Sequence, residues 1–349
     1  MTALDRLRST LAQHGADAML VTTPENVRYL SSFASPEDAV VLVTPERAVL
    51  LTDGRYTAQA AEQSSIPVEI VQGLDLAAAE RSKGLRLAVE SDHLTLKRHR
   101  TLCDALGNEP IVLDGVMNPL RVVKTAEEID RLRQAAQVTD VAYEAALAML
   151  RPGVREVEVA LEMERVMRLE GAEGSGFDII VASGVRGAMP HGVASNKVIE
   201  SGELVTLDFG AIVDGYHADM TRTVAVGEVG AEERRMYDAV LEAQEAAVAA
   251  VAPGRVGRDL DAVARDILTR HGLGEYFAHS LGHGTGLHIH EDPRLSNRSD
   301  DVLAPGMIVT IEPGVYIPGF TGLRIEDLLV VTESGHEVLS KSPKAFRCV

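Results

Sequence analysis

The sequence predicts two domains: an α/β domain over residues 1–120, then an α+β domain over 121–349 built from an internal pseudo-twofold repeat. Three observations carry this reading. The chain has 349 residues, more than one small core accommodates. Its first part alternates short Val- and Leu-rich runs with helical periodicity. Its later part repeats its own plan at a constant offset.

In the first domain, "DAMLVTT", "AVVLVT", "AVLLT" and "LRLAVE" read as buried strands. "LDRLRSTLAQHG" reads as a helix with Leu4, Leu7 and Leu11 on one face, ended by Gly15. No cluster of catalytic residue types falls in this domain.

The second domain opens at "RVVKTAEEIDRLRQAAQVTD", where Thr125 and Glu128 form a capping box. The helix this starts should run to about Leu150 and stop before Pro152-Gly153. A second helix, "REVEVALEMERVMRLEG", should end at Gly171. The same plan returns in "AVAAVAPGRVGRDLDAVARDILTRHG". "VIESGELVTLDFG" (198–210) lies over "VLAPGMIVTIEPG" (302–314) at an offset of 104, pairing Gly202 with Gly306, Thr206 with Thr310 and Asp208 with Glu312. Two such halves packed about an axis favour a site between them, although a match this short can also arise by chance.

Composition excludes some classes of function. The net charge of −18 opposes nucleic acid and anionic membranes, which need clustered Lys and Arg. It favours solubility and attraction of cations. With no Trp and 4% aromatics, Ala, Val and Leu must build the core. Cys103 and Cys348 are far apart and fit no metal spacing, so they read as free thiols of a reducing compartment. "MTALDRLRST" lacks an apolar signal core, and no apolar run reaches the ~18 residues of a membrane span. A cytoplasmic location is expected.

"LVTLDFGAIVDGYHADMTRTVAV" carries the first chemical signal. Asp214-Gly215 suits a two-residue type I′ turn. With that turn Val213 opposes Tyr216, Asp208 opposes Thr221 and Gly210 opposes Asp219. Asp208 and Asp219 then share a face with Thr206, Thr221 and Thr223, as diagonal neighbours roughly 7–8 Å apart at the backbone. Two carboxylates in a dry site repel, so one stays protonated or a cation sits between them. The competing reading is a solvated face with Arg222 as counter-charge, but Arg222 has the opposite parity and points away. The hairpin alone does not choose between the two.

The second repeat adds Glu312, in "GMIVTIEPG", and Glu326, in "TGLRIEDLLVV". Four carboxylates converging by symmetry call for bound metal. "HSLGHGTGLHIHEDPR" adds His279, His283, His288 and His290, with glycines at 282, 284 and 286 that let the backbone bend around a ligand. Oxygen donors with one imidazole suit manganese, cobalt or zinc. Four acids and one histidine suffice for two ions about 3.5 Å apart.

At these motifs the chain resembles the metallopeptidases of the pita-bread fold, in the prolidase and aminopeptidase P branch. "TTPENVRYLSSF" and "DGRY" are similar to that branch's N-terminal domain; "MPHG", "LDFGAIVDGYHADMTRT", "GHGTGLHIHE", "IEPGVY" and "RIED" follow in the order of its catalytic domain. The resemblance implies an α/β N-terminal domain and an α+β pita-bread catalytic domain. It implies that Asp208, Asp219, His283, Glu312 and Glu326 hold two divalent ions, with manganese first and cobalt or zinc as alternatives. It implies hydrolysis of the bond before proline in a dipeptide or short peptide, by a hydroxide between the ions. Glu312 would shuttle the proton, and His191 and His290 would contact substrate. Arg294 reads as a partner for the substrate carboxylate or as a surface arginine. Tyr216 and His279 are expected around the ligands. A homodimer is the expected assembly. The break "SPED" (35–38) could reach the partner's site.

One position departs from the pattern: 288 is His where relatives more often carry an acid, which bears on specificity. Among other enzymes of this fold, a methionine aminopeptidase would lack the N-terminal domain, and a creatinase-like enzyme would not keep five ligands. Aminopeptidase P shares the metal site and differs in taking longer peptides. A non-catalytic peptide-binding relative would have lost ligands, and all five positions are filled here.

Overall fold

The computed structural model describes residues 2–349. The chain forms two compact units, Met1–Arg121 and Val122–Val349.

The first unit holds a six-stranded sheet in the order β4-β3-β2-β1-β5-β6. Its strands are β1 (Ala18–Val21), β2 (Ala39–Val43), β3 (Ala48–Thr52), β4 (Val68–Ile70), β5 (Leu87–Glu90) and β6 (Ile111–Leu113). The β1–β2 and β2–β3 pairs are antiparallel; β1–β5, β5–β6 and β3–β4 are parallel. Helices α1 (Ala3–Gln13), α2 (Pro24–Ser31), α3 (Thr57–Gln63), α4 (Leu74–Arg81), α5 (Leu96–Leu106) and α6 (Asn118–Arg121) complete the unit. Val41 and Val43 join a core on one face of the sheet, while Val40 and Leu42 join a core on the other. Burial on both faces explains why "AVVLVT" is apolar throughout rather than alternating.

The second unit repeats one design. Helix α7 (Ala126–Met149) starts at the Thr125–Glu128 capping box, and α8 (Glu156–Leu169) packs against it. Helices α9 (Ala231–Ala250) and α10 (Gly257–Arg270) form the matching pair. Small strands β7 (Gly174–Ser175), β10 (Ala211–Val213) and β11 (Tyr216–His217) form one sheet; β8 (Ile180–Ser183), β9 (Glu203–Phe209) and β12 (Met220–Val226) form another. In the second half β13 (Gly282–Gly284) pairs with β14 (Glu291–Leu295), β18 (Asp327–Val331) pairs with β15 (Ile308–Ile311) on one side and β19 (His336–Val338) on the other, and β16 (Gly314–Ile317) pairs with β17 (Thr321–Arg324).

The repeat is present in the hydrogen bonds. Gly153 N donates to Ile199 O at 2.9 Å, and Gly254 N to Leu303 O at 2.8 Å. Gly202 N donates to Val226 O at 2.7 Å, and Gly306 N to Val331 O at 2.8 Å. Each half has its own apolar core, one around Tyr143, Met163 and Phe209, the other around Tyr237, Leu268 and Ile311. Among the described residues no helix is long and apolar enough to cross a membrane.

Candidate metal centre

The site begins at the hairpin turn. Asp214 and Gly215 both have positive φ, at 48° and 80°, as a type I′ turn requires. Val213 pairs with Tyr216, Thr221 with Asp208 and Thr223 with Thr206, so the register expected from the turn holds. The shared face is formed as well: Thr206 and Thr223 hydroxyls lie 3.1 Å apart, and Thr221 Oγ1 donates to Glu326 Oε2 at 2.7 Å.

The second half delivers its acids by the same logic. Ile311 pairs with Asp327, and Ile325 N donates to Pro313 O, so Glu312 and Glu326 face one another between these contacts. Asp208, Asp219, His283, Glu312 and Glu326 all line one cavity of about 580 Å³. Ligand atoms of Asp219, His283 and Glu326 lie within 4.8 Å of one another.

The electrostatics are severe. Burial pushes the Asp219 and Glu326 carboxyls well above the usual carboxylate range, and the neighbouring acids push further in the same direction. Burial lifts Glu312 to about 7. Asp208 Oδ1 and Glu326 Oε1 are buried without a hydrogen-bond donor. His283 Nδ1 lies 2.9 Å from Gly284 O, so Nδ1 carries the proton. Its Nε2 therefore presents a lone pair to Glu312 Oε1 at 3.3 Å and Asp219 Oδ2 at 3.5 Å. Burial holds this imidazole near 4, so it stays neutral. Acceptors facing acceptors, with orphaned oxygens, fit divalent cations.

Among the described residues Arg324 is the one cation inside this cluster, and it is not evident from the sequence alone. It is 4% exposed. Its Nη2 is bonded to Asp208, its Nε donates to Thr221 Oγ1 at 3.0 Å, and its Nη1 reaches the Tyr316 hydroxyl and Pro190 O. Burial raises the Tyr316 phenol to about 12. "RIED" places an arginine two residues before Glu326, and strand parity puts both on one face; that was the available signal.

His279 Nδ1 donates to Ser280 O, and its Nε2 accepts from the Tyr316 hydroxyl at 3.1 Å. Tyr216 points elsewhere. Its hydroxyl donates to Glu128 Oε1 at 2.8 Å, under the Arg131 guanidinium. The reason is parity: Tyr216 lies an odd number of residues from Asp219 and faces away from the acids. The glycines also have a different role from bending around a ligand. A Cβ on Gly282 would sit 2.0 Å from Thr310 O, and one on Gly284 2.2 Å from Asp292 O, so they permit backbone to pack on backbone.

His191, His290 and Arg294 line the same cavity, with Phe177, Ile180 and Val193 as its apolar wall. The His290 ring stands 4.5 Å from that of His283, edge to face. Burial, with Arg294 nearby, lowers the His290 pKa. Loop 288–291 is tied by Glu291, which accepts from His288 N at 2.9 Å and from the buried Lys124 at 3.2 Å. His288 is exposed, and its Nδ1 caps His290 O at 2.9 Å.

These features define a class. A model of metallopeptidase family M24 matches residues 130–333, and one of the creatinase/prolidase N-terminal domain matches residues 4–123. An Xaa-Pro dipeptidase of Pyrococcus furiosus is 38% identical over 98% of both chains. The structure of an Xaa-Pro dipeptidase from Bacillus anthracis superposes with a TM-score of 0.96 at 47% identity, covering 99% of each chain. That of an X-Pro aminopeptidase from Thermotoga maritima superposes with a TM-score of 0.90 at 37% identity, covering 98% of this chain and 100% of the other. The chain belongs to metallopeptidase family M24, with the two-domain, pita-bread architecture of the prolidases.

Proposed function

We propose that the protein hydrolyses the Xaa-Pro bond of dipeptides, as an Xaa-Pro dipeptidase that uses two divalent ions. The observation that carries this reading is the buried cluster of Asp219, His283 and Glu326, where Glu326 Oε1 and the neighbouring Asp208 Oδ1 have no donor, in a cavity also lined by His191, His290 and Arg294. Asp208, Asp219, His283, Glu312 and Glu326 are the ligand set. Manganese suits this oxygen-rich set, as do cobalt and zinc. When bound, the ions acidify water towards neutrality and polarise a carbonyl.

The chain's own groups do the rest. Glu312 takes the proton of the attacking water and passes it to the proline nitrogen as the C–N bond breaks. His191 contacts the leaving nitrogen, and His290 the scissile carbonyl or the proline carboxylate. Arg294 pairs with the C-terminal carboxylate through its two-donor edge. The amide before proline has no N–H, so recognition must come from the ring and the carboxylate.

The likeness to the Thermotoga maritima X-Pro aminopeptidase favours a second reading, release of the first residue from longer Xaa-Pro peptides. Hydrolysis of Ala-Pro beside Ala-Pro-Ala, by manganese-loaded and metal-stripped protein, separates the two. Metal-dependent cleavage of the dipeptide is expected. Preference for the tripeptide would move the assignment to the aminopeptidase. Both free cysteines fit a cytoplasmic enzyme. The reading carries a homodimer, which light scattering tests.

A further inference from the structure

His191 is exposed, and no described residue hydrogen-bonds its ring. Its place in the cavity is therefore set by the strap that carries it, residues 183–195. That strap closes on a carboxylate which the chemistry does not use. Glu156 opens α8 and is 0% exposed. Its Oε1 accepts from Ser183 N at 2.8 Å and Ser183 Oγ at 2.9 Å. Its Oε2 accepts from Arg186 Nε at 2.9 Å, and from Ser195 N at 3.2 Å and Oγ at 2.6 Å. One carboxylate thus ties both ends of the strap and a point between them.

Other contacts tighten the ring. Arg186 Nη2 donates to Val193 O at 2.6 Å, across the base of the segment that holds His191. Arg324 of the metal centre donates to Pro190 O at 3.3 Å. Gly187 presses on β17: a Cβ there would lie 2.7 Å from Gly322 O. A fully buried carboxylate is tolerated only when its oxygens are saturated by donors, and here both are. The second half uses the same device. Asp261 on α10, also 0% exposed, accepts from Leu281 N and from Arg265, which itself holds Phe277 O and His279 O.

We propose that Glu156 is a positioning residue for the hydrolysis: through the strap it fixes where the His191 imidazole stands in the cavity. The proposal rests on the Xaa-Pro reading above. Removing its charge leaves the metal ligands untouched and lets the strap, with His191, drift. A displacement of about 1 Å can lower a rate by on the order of 100-fold.

The test is a double-mutant cycle on the manganese-loaded full chain, with Glu156→Gln, His191→Ala and both together, assayed on Ala-Pro. Metal content and thermal midpoint are measured for each. Expected is a kcat/KM loss of about 10–100-fold in Glu156→Gln with metal content kept, and no further loss when it is added to His191→Ala. Losses that multiply, or full activity in Glu156→Gln, would overturn the proposal. Should Glu156→Gln not fold, Ser195→Ala takes its place, with a smaller loss that must likewise vanish in the His191→Ala background. A silent His191→Ala beside an impaired Glu156→Gln also overturns it, since Glu156 would then act through another group. If the wild type leaves Ala-Pro and Ala-Pro-Ala intact, the Xaa-Pro reading fails by itself. Hydrogen exchange at the Ser183 and Ser195 amides then decides, with faster exchange in Glu156→Gln expected and unchanged protection contradicting the strap.

Discussion

Asp219 and Arg222 lie three positions apart at β12, and the buried charge on the strand's two faces obeys opposite rules. Arg222 is 1% exposed and fully answered: Nη2 donates to Asp327 Oδ1 at 2.7 Å, Nε to Ser342 O at 3.1 Å, and Nη1 to the Glu326 and Thr221 carbonyls. Asp327 is answered in turn by Gln244 and Lys344. On the other face, among the described residues, Asp208, Asp219, Glu312 and Glu326 share one cation, Arg324, and leave Asp208 Oδ1 and Glu326 Oε1 without donors. Closed charge is costly to break, whereas unanswered charge in a cavity points to a ligand site.

The comparison breaks most sharply under mutation. Asp219→Asn should lower manganese-dependent activity by more than about 100-fold, beyond the loss from disturbing a ligand's partner, and should lower metal content. The thermal midpoint of its metal-free form should stay level or rise, because a repelling charge has gone. Asp327→Asn should do the reverse. It should cost about 3–5 kcal/mol of stability by leaving Arg222 short of its partner, while the folded fraction keeps its metal. Denaturant melts with metal analysis check both.

Acidity should separate the faces next. Asp219, Glu312 and Glu326 have raised pKa values in the fold, so the folded state holds more protons than the unfolded one as those groups titrate. Their contribution to stability is present at low pH and is lost as pH rises; for Glu312 the window runs from its ordinary 4.5 to about 7. His279 and His283, held near 4, act in the opposite sense over the same range, so the comparison is with metal-stripped Glu312→Gln: relative to it the wild-type midpoint should fall across that window, and saturating manganese should restore it at pH 7. A flat difference between the two stripped proteins would deny the unanswered charge.

Smaller effects sharpen the boundary. Tyr316→Phe removes the hydroxyl that joins Arg324 to His279, and should lower activity severalfold while costing about 1 kcal/mol. Tyr216→Phe should cost about as much stability and leave kcat/KM unchanged, since that hydroxyl meets Glu128 and Arg131 rather than the clustered acids. A kinetic effect of Tyr216→Phe would return it to the ligands' surroundings.

Local chemistry made much of this legible. The Asp214-Gly215 turn fixed the hairpin register, and register with parity fixed which acids share a face. The capping box began α7 where Thr125 stands, and the 104-residue offset carried the repeat through to its hydrogen bonds. Contacts between distant segments were not legible. Nothing near Arg324 announces Asp208 as its partner, and nothing near Glu156 announces a strap that ends at Ser195. Tyr216 was misplaced although parity with Asp219 already turned it away; chain proximity to a ligand was a poor guide beside strand geometry.

The most direct test counts manganese ions bound per chain at pH 7 by titrating metal-stripped protein, wild type beside Asp219→Asn. The account predicts two ions for the wild type, a raised thermal midpoint on loading, and loss of tight binding in the variant. A wild-type chain that takes up none and melts at the same temperature with or without manganese would contradict it.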